Sequence, residues 1–268
     1  MRSKVLAFGL ALLVSPALAH DTWLLPADFT VAPGSTVAAE MTSAMAFPKA
    51  ETAIKPDRIA RSGLRLAGRT AALRSGPVAP AALRLRAAAP AAGVAALWVE
   101  LHPRTLDLED ALVEEYLREI GAWDSAGAEW RAAGRKPWRE TYVKCAKSFV
   151  RVGDSAAGAP AAWSEPVGLA LEIVPEVDPT ALVAGSQIPL RLLRGGAAMA
   201  GQPVMAEAPG GKPLHAQTDK DGRVVFVLDG EGPWLIKSTA LRRKGDSREW
   251  DSEFTTLTVA VRPRPPAR

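Results

Sequence analysis

The sequence contains very few of the side chains that form disulfides or nitrogen-rich metal sites. Its 268 residues include one cysteine, Cys145, and three histidines, His20, His102 and His215. A single cysteine cannot form a disulfide within the chain. Any imidazole-based metal site must therefore be built from very few residues.

Long apolar segments and long basic segments are also missing. After residue 20 no stretch approaches the roughly 18–20 uncharged apolar residues of a transmembrane helix. No run of five or more basic residues occurs, and the formal net charge is only +4. Without Arg2 and Lys4 it falls to +2, because 31 basic and 29 acidic residues remain. The sequence predicts no nucleic-acid partner and no membrane span in the mature chain.

Recognisable catalytic motifs are absent as well. There is no Gly-x-Ser-x-Gly elbow, no phosphate-binding Walker loop and no dinucleotide fingerprint. Cys145 lies in a segment, residues 142–152, whose alternation is typical of a strand, which favours a buried thiol over a nucleophile. These absences predict a protein that is not an enzyme.

Residues 1–19 have the three parts of a secretory signal peptide. Arg2 and Lys4 precede an apolar segment, residues 5–14, and Ala17-Leu18-Ala19 fits the cleavage rule. The alternative is a cytosolic protein with an unusual apolar start. The signal reading predicts a periplasmic protein whose mature chain begins at His20.

The mature chain is predicted to be mainly β, with two β-sandwich (immunoglobulin-like) modules. Residues 20–165 form the first, β-rich domain, with a helical insertion at about 105–140. Helical spacing predicts a helix over 107–120, capped by Thr105 or Asp107. Residues 122–141 are predicted to be either a second helix or an irregular excursion.

Residues 166–262 are predicted to be a C-terminal β-sandwich, followed by a tail at 263–268. Six or seven short apolar segments are separated by turn signals every 8–12 residues, which is typical of this fold. Pro189 predicts an edge position for its strand, because proline lacks the N–H that a central strand needs. The Asp219–Arg223 segment resembles the start of a calcium loop, but the later ligand positions are missing, which favours a tight turn.

Eight tryptophans accompany only two tyrosines. Four of them, Trp123, Trp130, Trp138 and Trp163, lie in and just after the predicted excursion. They could form a stacking platform for a sugar, or they could fill the seam between the two modules. The second interpretation is favoured because tryptophan buries a large apolar area.

The predicted mature terminus carries the main functional hypothesis. An N-terminal histidine offers its α-amine and its imidazole to one ion, and a second imidazole would give a three-nitrogen set suited to Cu(II) or Ni(II). His102 is the preferred second ligand, and His215 is less favoured because it lies near a turn. The alternatives are an exposed terminus at His20, a backbone-bonded histidine at His102 and a surface residue at His215.

Motifs spread along the chain resemble one family. They are His20–Pro26, Leu106–Gly121, Glu140–Val150, Leu171–Pro175, Thr218–Arg223 and Gly232–Ile236. The sequence is similar in these motifs to the DUF4198 domain family of bacterial periplasmic proteins, formerly grouped with NikM-type nickel-uptake components. The resemblance implies β-sandwich domains, the C-terminal one similar to carboxypeptidase-regulatory or immunoglobulin-like modules, and divalent metal handling. Members often carry a histidine after the Trp-Leu-Ile strand, whereas residues 237–243 here contain none.

Together these features predict a periplasmic, non-enzymatic protein that binds or delivers nickel, cobalt or copper. Its predicted ligands are His20 and His102. Its predicted partner is an envelope metal transporter or another periplasmic protein. The alternative is an envelope adhesion or scaffold module that binds a protein or glycan without metal.

Overall fold

A computed structural model describes residues 20–134, 137–154, 162–245 and 249–265. The predicted signal segment, residues 1–19, lies outside this range. The first half runs in the order β1 (Asp21–Pro26), β2 (Thr30–Val31), β3 (Thr36–Ala44), β4 (Thr52–Ala53), β5 (Ile59–Leu66), β6 (Arg69–Ala71), β7 (Arg74–Val78), β8 (Leu83–Ala88), β9 (Gly93–Leu101), β10 (Arg104–Leu108), α1 (Asp110–Glu119), α2 (Trp123–Ala132) and β11 (Trp138–Val152).

The second half is built from strands alone, apart from a short 3₁₀ turn at Ala162–Ser164. Its strands are β12 (Leu171–Pro175), β13 (Ser186–Arg194), β14 (Ala197–Ala198), β15 (Pro203–Glu207), β16 (Leu214–Gln217), β17 (Arg223–Leu228), β18 (Gly232–Arg243) and β19 (Glu249–Val261). The chain is therefore mainly β, as predicted. Within the described residues, no helix is both long and apolar enough to cross a membrane.

Three sheets organise these strands. The largest has ten strands in the order β16-β15-β18-β19-β11-β9-β5-β6, with β2 and β10 also paired to β11. A five-stranded sheet contains β1-β3-β8-β7 and β4, and a four-stranded sheet contains β12-β13-β14 with β17 on β13. The predicted domain boundary at 165/166 lies between β11 and β12. The ten-stranded sheet contains strands from both sides of it, because β11 pairs in parallel with β19 from Arg139↔Glu249 to Ser148↔Thr258.

Two hydrophobic cores lie between the ten-stranded sheet and the two smaller sheets. The alternation of β11 assigns one face to each core, since neighbouring residues of a strand point to opposite faces. Ala146 and Val150 belong to the first core, while Phe149 belongs to the second. The same period of two buries Leu83 and Leu85 of β8 in the first core. It also buries the apolar residues Val224, Phe226 and Leu228 of β17 in the second core.

The two helices pack on the strand ends that flank them. Val113, Tyr116 and Leu117 of α1 are buried in a third cluster with Trp130, Trp138 and Trp250. Trp138 and Trp250 stack with ring centres 4.5 Å apart. Two of the four tryptophans considered as a stacking platform, Trp130 and Trp138, are thus buried.

Two details of the sequence interpretation are wrong. The first helix begins at Asp110 rather than Asp107, because residues 104–108 form β10 and pair with β11. Strand β13 is central rather than an edge, since β12 and β17 pair with its two sides. Pro189 is accommodated there because its nitrogen and carbonyl face a point just beyond the last β12–β13 pair, Pro175↔Leu190, where no strand acceptor needs its missing N–H, while its carbonyl accepts the Glu176 N–H at 2.9 Å.

The Asp219–Arg223 segment is a tight turn. One carboxylate oxygen of Asp219 accepts the N–H groups of Asp221 at 2.9 Å and Arg223 at 2.8 Å. Gly222 has a φ of +73°, a conformation that glycine adopts without steric cost. The carboxylate is therefore engaged in closing a turn.

A buried ion pair joins β11 to β12. The Lys147 ammonium lies 2.6 Å from Glu172, and each side chain is 2% exposed. Glu172 also accepts the N–H groups of Val167, Gly168 and Leu169 at 2.8–3.1 Å. Burial acts to raise the pKa of Glu172, but Lys147 and these N–H groups hold it below the ordinary value. The ion pair therefore holds β11 to β12 by charge as well as by packing.

We expect strong coupling between Lys147 and Glu172. The K147M and E172Q variants should each lose about 3–5 kcal/mol of unfolding free energy, because each leaves a buried polar partner unsatisfied. The double variant should recover much of that loss. Urea unfolding followed by tryptophan fluorescence measures all three. The exposed Arg118–Glu114 pair on α1 is the control, and additive losses at Lys147 and Glu172 would contradict the expectation.

A second buried carboxylate holds the helical region in place. Glu140 on β11 accepts hydrogen bonds from the Tyr116 hydroxyl at 2.8 Å, the Trp138 indole at 2.7 Å and the Ser252 hydroxyl. Burial raises the pKa of Glu140 above its ordinary value of 4.5, although these donors oppose the shift. One side chain thus links α1, β11 and β19.

The raised pKa of Glu140 predicts a specific pH dependence. Between the ordinary and the raised pKa, the native state binds more protons than the unfolded state, so stability at this site decreases as pH rises. Relative to E140Q, the wild type should therefore gain unfolding free energy as pH is lowered from neutral toward about 4.5. Urea titrations at several pH values measure the difference, with E114Q on the exposed face of α1 as reference. A difference that stays constant with pH would contradict the assignment.

Candidate functional site

His20 is the first described residue, and its position is fixed by β1. That strand pairs antiparallel with β3, from Asp21↔Ala44 to Pro26↔Ala39. On its other side, the Thr22 carbonyl accepts the Thr256 hydroxyl of β19 at 2.7 Å, and the Leu24 carbonyl accepts the Thr258 hydroxyl. Hydrogen bonds on both sides therefore hold the segment that follows His20.

An aromatic anchor adds to this fixation. Trp23 is 1% exposed and packs with Ala44, Phe47 and Leu235 in a separate apolar cluster. Its ring meets the Phe47 ring edge-on, with centres 5.4 Å apart. The motif that begins with His20 thus places a buried tryptophan three residues after the histidine, between the five-stranded and ten-stranded sheets.

The two ring nitrogens of His20 differ in their surroundings. Nε2 lies 3.7 Å from a carboxylate oxygen of Glu51. Nδ1 is buried and has no hydrogen-bond partner among the described residues. The carbonyl of His20 accepts a hydrogen bond from the Lys144 ammonium at 2.5 Å. One ring nitrogen thus faces an acid, and the other is buried without a partner.

His20 lines a cleft of about 320 Å³ whose charged side chains are cationic. Lys55, Arg58, Arg104 and Lys144 line it together with hydroxyl groups that include those of Ser43 and Tyr142. Burial lowers the pKa of Lys144 to about 8, while Asp21, Glu140 and Glu119 act in the opposite direction. Its ammonium also lies over the rings of Tyr142 and Phe254, at 5.6 and 5.3 Å from their centres.

Asp21 belongs to a different cavity. Its carboxylate lies 2.5 Å from the Lys237 ammonium, which is also 3.3 Å from Glu207. This second cavity, of about 380 Å³, is lined by Asp21, Glu119, Lys237 and His215. His20 and Asp21 are consecutive, yet they line cavities on opposite sides of β1. The charge of Asp21 is balanced by Lys237.

The other predicted ligand, His102, follows β9 and is exposed. The backbone N–H of His102 donates to the Arg58 carbonyl at 2.8 Å, and Arg58 Nη2 donates to the His102 carbonyl at 3.1 Å. Leu101 lines the cleft of His20, but His102 is not among the residues that do. Over the described ranges, no group of three or more His, Cys, Asp or Glu side chains is arranged to hold a metal ion.

The structure thus brings His20 together with Glu51 and Lys144, and the sequence interpretation named neither. Glu51 follows a loop after β3, and nothing in its local pattern marks it. Lys144 lies in a strand of alternating pattern, where a lysine is ordinarily solvent-facing. Cys145 is buried, and burial raises the pKa of its thiol to about 12, so it lacks the thiolate character of a nucleophile.

Solved structures give distant likenesses. The D0-D1 domain of intimin is 12% identical, with 87% of this chain and 96% of that chain covered and a TM-score of 0.23. Fibronectin(III)-like modules of CbhA from Clostridium thermocellum are 9% identical, with 91% and 97% covered and a TM-score of 0.22. A marsupial T cell receptor is 11% identical, with 92% and 75% covered and a TM-score of 0.23. No curated protein matches the chain.

A family model also matches most of the chain. The model of the domain of unknown function DUF4198 matches residues 17–241, which include the segment around His20, both helices and most of the C-terminal strands. The chain therefore belongs to the DUF4198 family.

Proposed function

We propose that the protein is exported to the periplasm, is processed after Ala19, and binds one divalent transition-metal ion through its new terminus. The observation that carries this is the buried Nδ1 of His20, which has no hydrogen-bond partner among the described residues. In a chain that starts at His20, this nitrogen and the α-amine close a six-membered chelate ring. Both are nitrogen donors suited to Ni(II), Co(II) or Cu(II).

Glu51 supports this role from the other side of the ring. Metal-bound histidines commonly direct their second nitrogen toward a carboxylate, which orients the ring and strengthens it as a ligand. The Glu51 carboxylate is 3.7 Å from Nε2 of His20, on the side where such a partner would lie, and a small movement of its side chain would bring it to hydrogen-bond distance. The same backbone hydrogen bonds that fix β1 hold the chelate in place.

A second imidazole would complete a three-nitrogen set. His102 is the candidate, because it follows Leu101 at the border of the cleft. A water molecule or a bound small molecule can fill the remaining positions in a site with two protein nitrogens. The proposed role is non-enzymatic binding or delivery of the metal to an envelope transporter or another periplasmic protein.

Titration calorimetry with Ni(II), Co(II) and Cu(II) tests this function. The protein is exported, and mass spectrometry of the product shows whether its chain starts at His20. We expect one metal ion per chain and stronger binding at higher pH, because both nitrogens must lose their protons. H20A should weaken binding at least about tenfold, as should a form with Met before His20.

H215A is the matched control, because His215 lines the other cavity. H102A distinguishes a site with two histidines from a site with one. Equal affinities for the processed and Met-extended chains would refute chelation by the terminus. Absence of metal binding to the processed chain would leave the adhesion or scaffold alternative.

A further inference from the structure

The cleft around His20 is lined by four cationic side chains, which weaken the binding of a bare metal ion. Lys55, Arg58, Arg104 and Lys144 line it. Across the parts of the chain that the structure describes, none of these four lies within ion-pair distance of a carboxylate. A divalent cation held by His20 would be repelled by each of them. The acid near His20, Glu51, can offset only part of this charge.

Three acids near Lys144, namely Asp21, Glu140 and Glu119, favour its charged form without forming an ion pair with it, and two of them are engaged elsewhere. The Asp21 carboxylate is bound to Lys237 at 2.5 Å on the other side of β1. Glu140 is surrounded by Tyr116, Trp138 and Ser252 in the helical cluster. The cationic side chains that line the cleft are therefore available to interact with a ligand that enters it.

The donors in the cleft suit carboxylates. Arg58 uses one Nη2 hydrogen bond for the His102 carbonyl at 3.1 Å, which leaves further N–H donors on its guanidinium. Arg104 lies opposite Tyr142 in the β10–β11 pairing, and both residues line the cleft, where the charge of Arg104 acts to lower the pKa of the Tyr142 hydroxyl against the effect of burial. Arginine binds carboxylates through two parallel hydrogen bonds. A volume of about 320 Å³ admits a small molecule together with a metal ion.

We propose that the metal enters this cleft as an anionic complex with a small polycarboxylate. Arg58, Arg104 and Lys144 bind the carboxylates, and the His20 terminus supplies nitrogen ligands to the metal. This inference rests on the proposed function and names its substrate class. It accounts for the cationic lining, because the carboxylates that accompany the metal balance the charge that would otherwise repel it.

The test compares each metal alone with the same metal plus equimolar citrate, using the processed protein. Ni(II), Co(II) and Cu(II) are titrated in a non-coordinating buffer, and protein-bound metal and radiolabelled citrate are measured after equilibrium dialysis. We expect at least about tenfold tighter binding of the citrate complex, with metal and citrate retained in equal amounts. Inorganic phosphate should not replace citrate.

The R58Q/R104Q variant should lose the advantage of the citrate complex and bind the metal alone at least as tightly as the wild type, because two repelling charges are removed. R104Q by itself keeps the Arg58–His102 contact and should lose part of the advantage. R86Q is the control, since Arg86 is an exposed arginine on β8 away from the cleft. Thermal unfolding shows whether each variant is folded.

The outcomes separate this inference from the proposed function. Metal retained without citrate, or citrate that removes metal from the wild type and from R58Q/R104Q equally, overturns the inference and leaves metal binding intact. Citrate retained without metal, and equally by H20A, overturns both and identifies a plain anion site. Loss of both ligands in H20A, with loss of the citrate advantage in R58Q/R104Q, supports the full proposal.

Discussion

The parallel pairing of β11 with β19 is the constraint on which the rest of the structure depends. It places Tyr142 beside Ser252 and continues over ten residue pairs. Because alternate residues of β11 face different cores, this one strand joins both sandwiches. Strand β19 supplies the hydroxyls of Thr256 and Thr258 that hold β1, and β11 supplies Lys144. The location of His20 is therefore a consequence of contacts between residues more than a hundred positions apart.

The two lysines of β11 show how this constraint distributes charge. Lys144 and Lys147 are three residues apart, so they point to opposite faces of the strand. Lys147 meets Glu172 and closes the connection to β12. Lys144 faces β1, where Asp21 is already bound to Lys237. Lys147 thus contributes to stability, while Lys144 lines the cleft of His20.

The sequence predicts features that depend on local pattern and misses those that depend on distant partners. The Leu171–Pro175 and Arg223–Leu228 strands follow from alternation and turn residues, and the buried Cys145 follows from its neighbours. The start of α1 was misplaced because Asp107 could cap a helix, yet its backbone pairs with β11. Nothing in the sequence around Lys147 or around Glu172 indicates that they form a buried ion pair. The approach of Glu51 to His20 likewise depends on a loop that follows β3.

Electrostatics connects the terminus to the cleft that surrounds it. In a chain processed after Ala19, the new terminus would belong to a residue that lines the same cleft as Lys144 and the two arginines. The charges of these side chains oppose a bare dication. In the proposed complex, the carboxylates that accompany the metal would pair with the arginines, while the amine and Nδ1 would complete the coordination. The cationic lining and the histidine terminus are then two parts of one site.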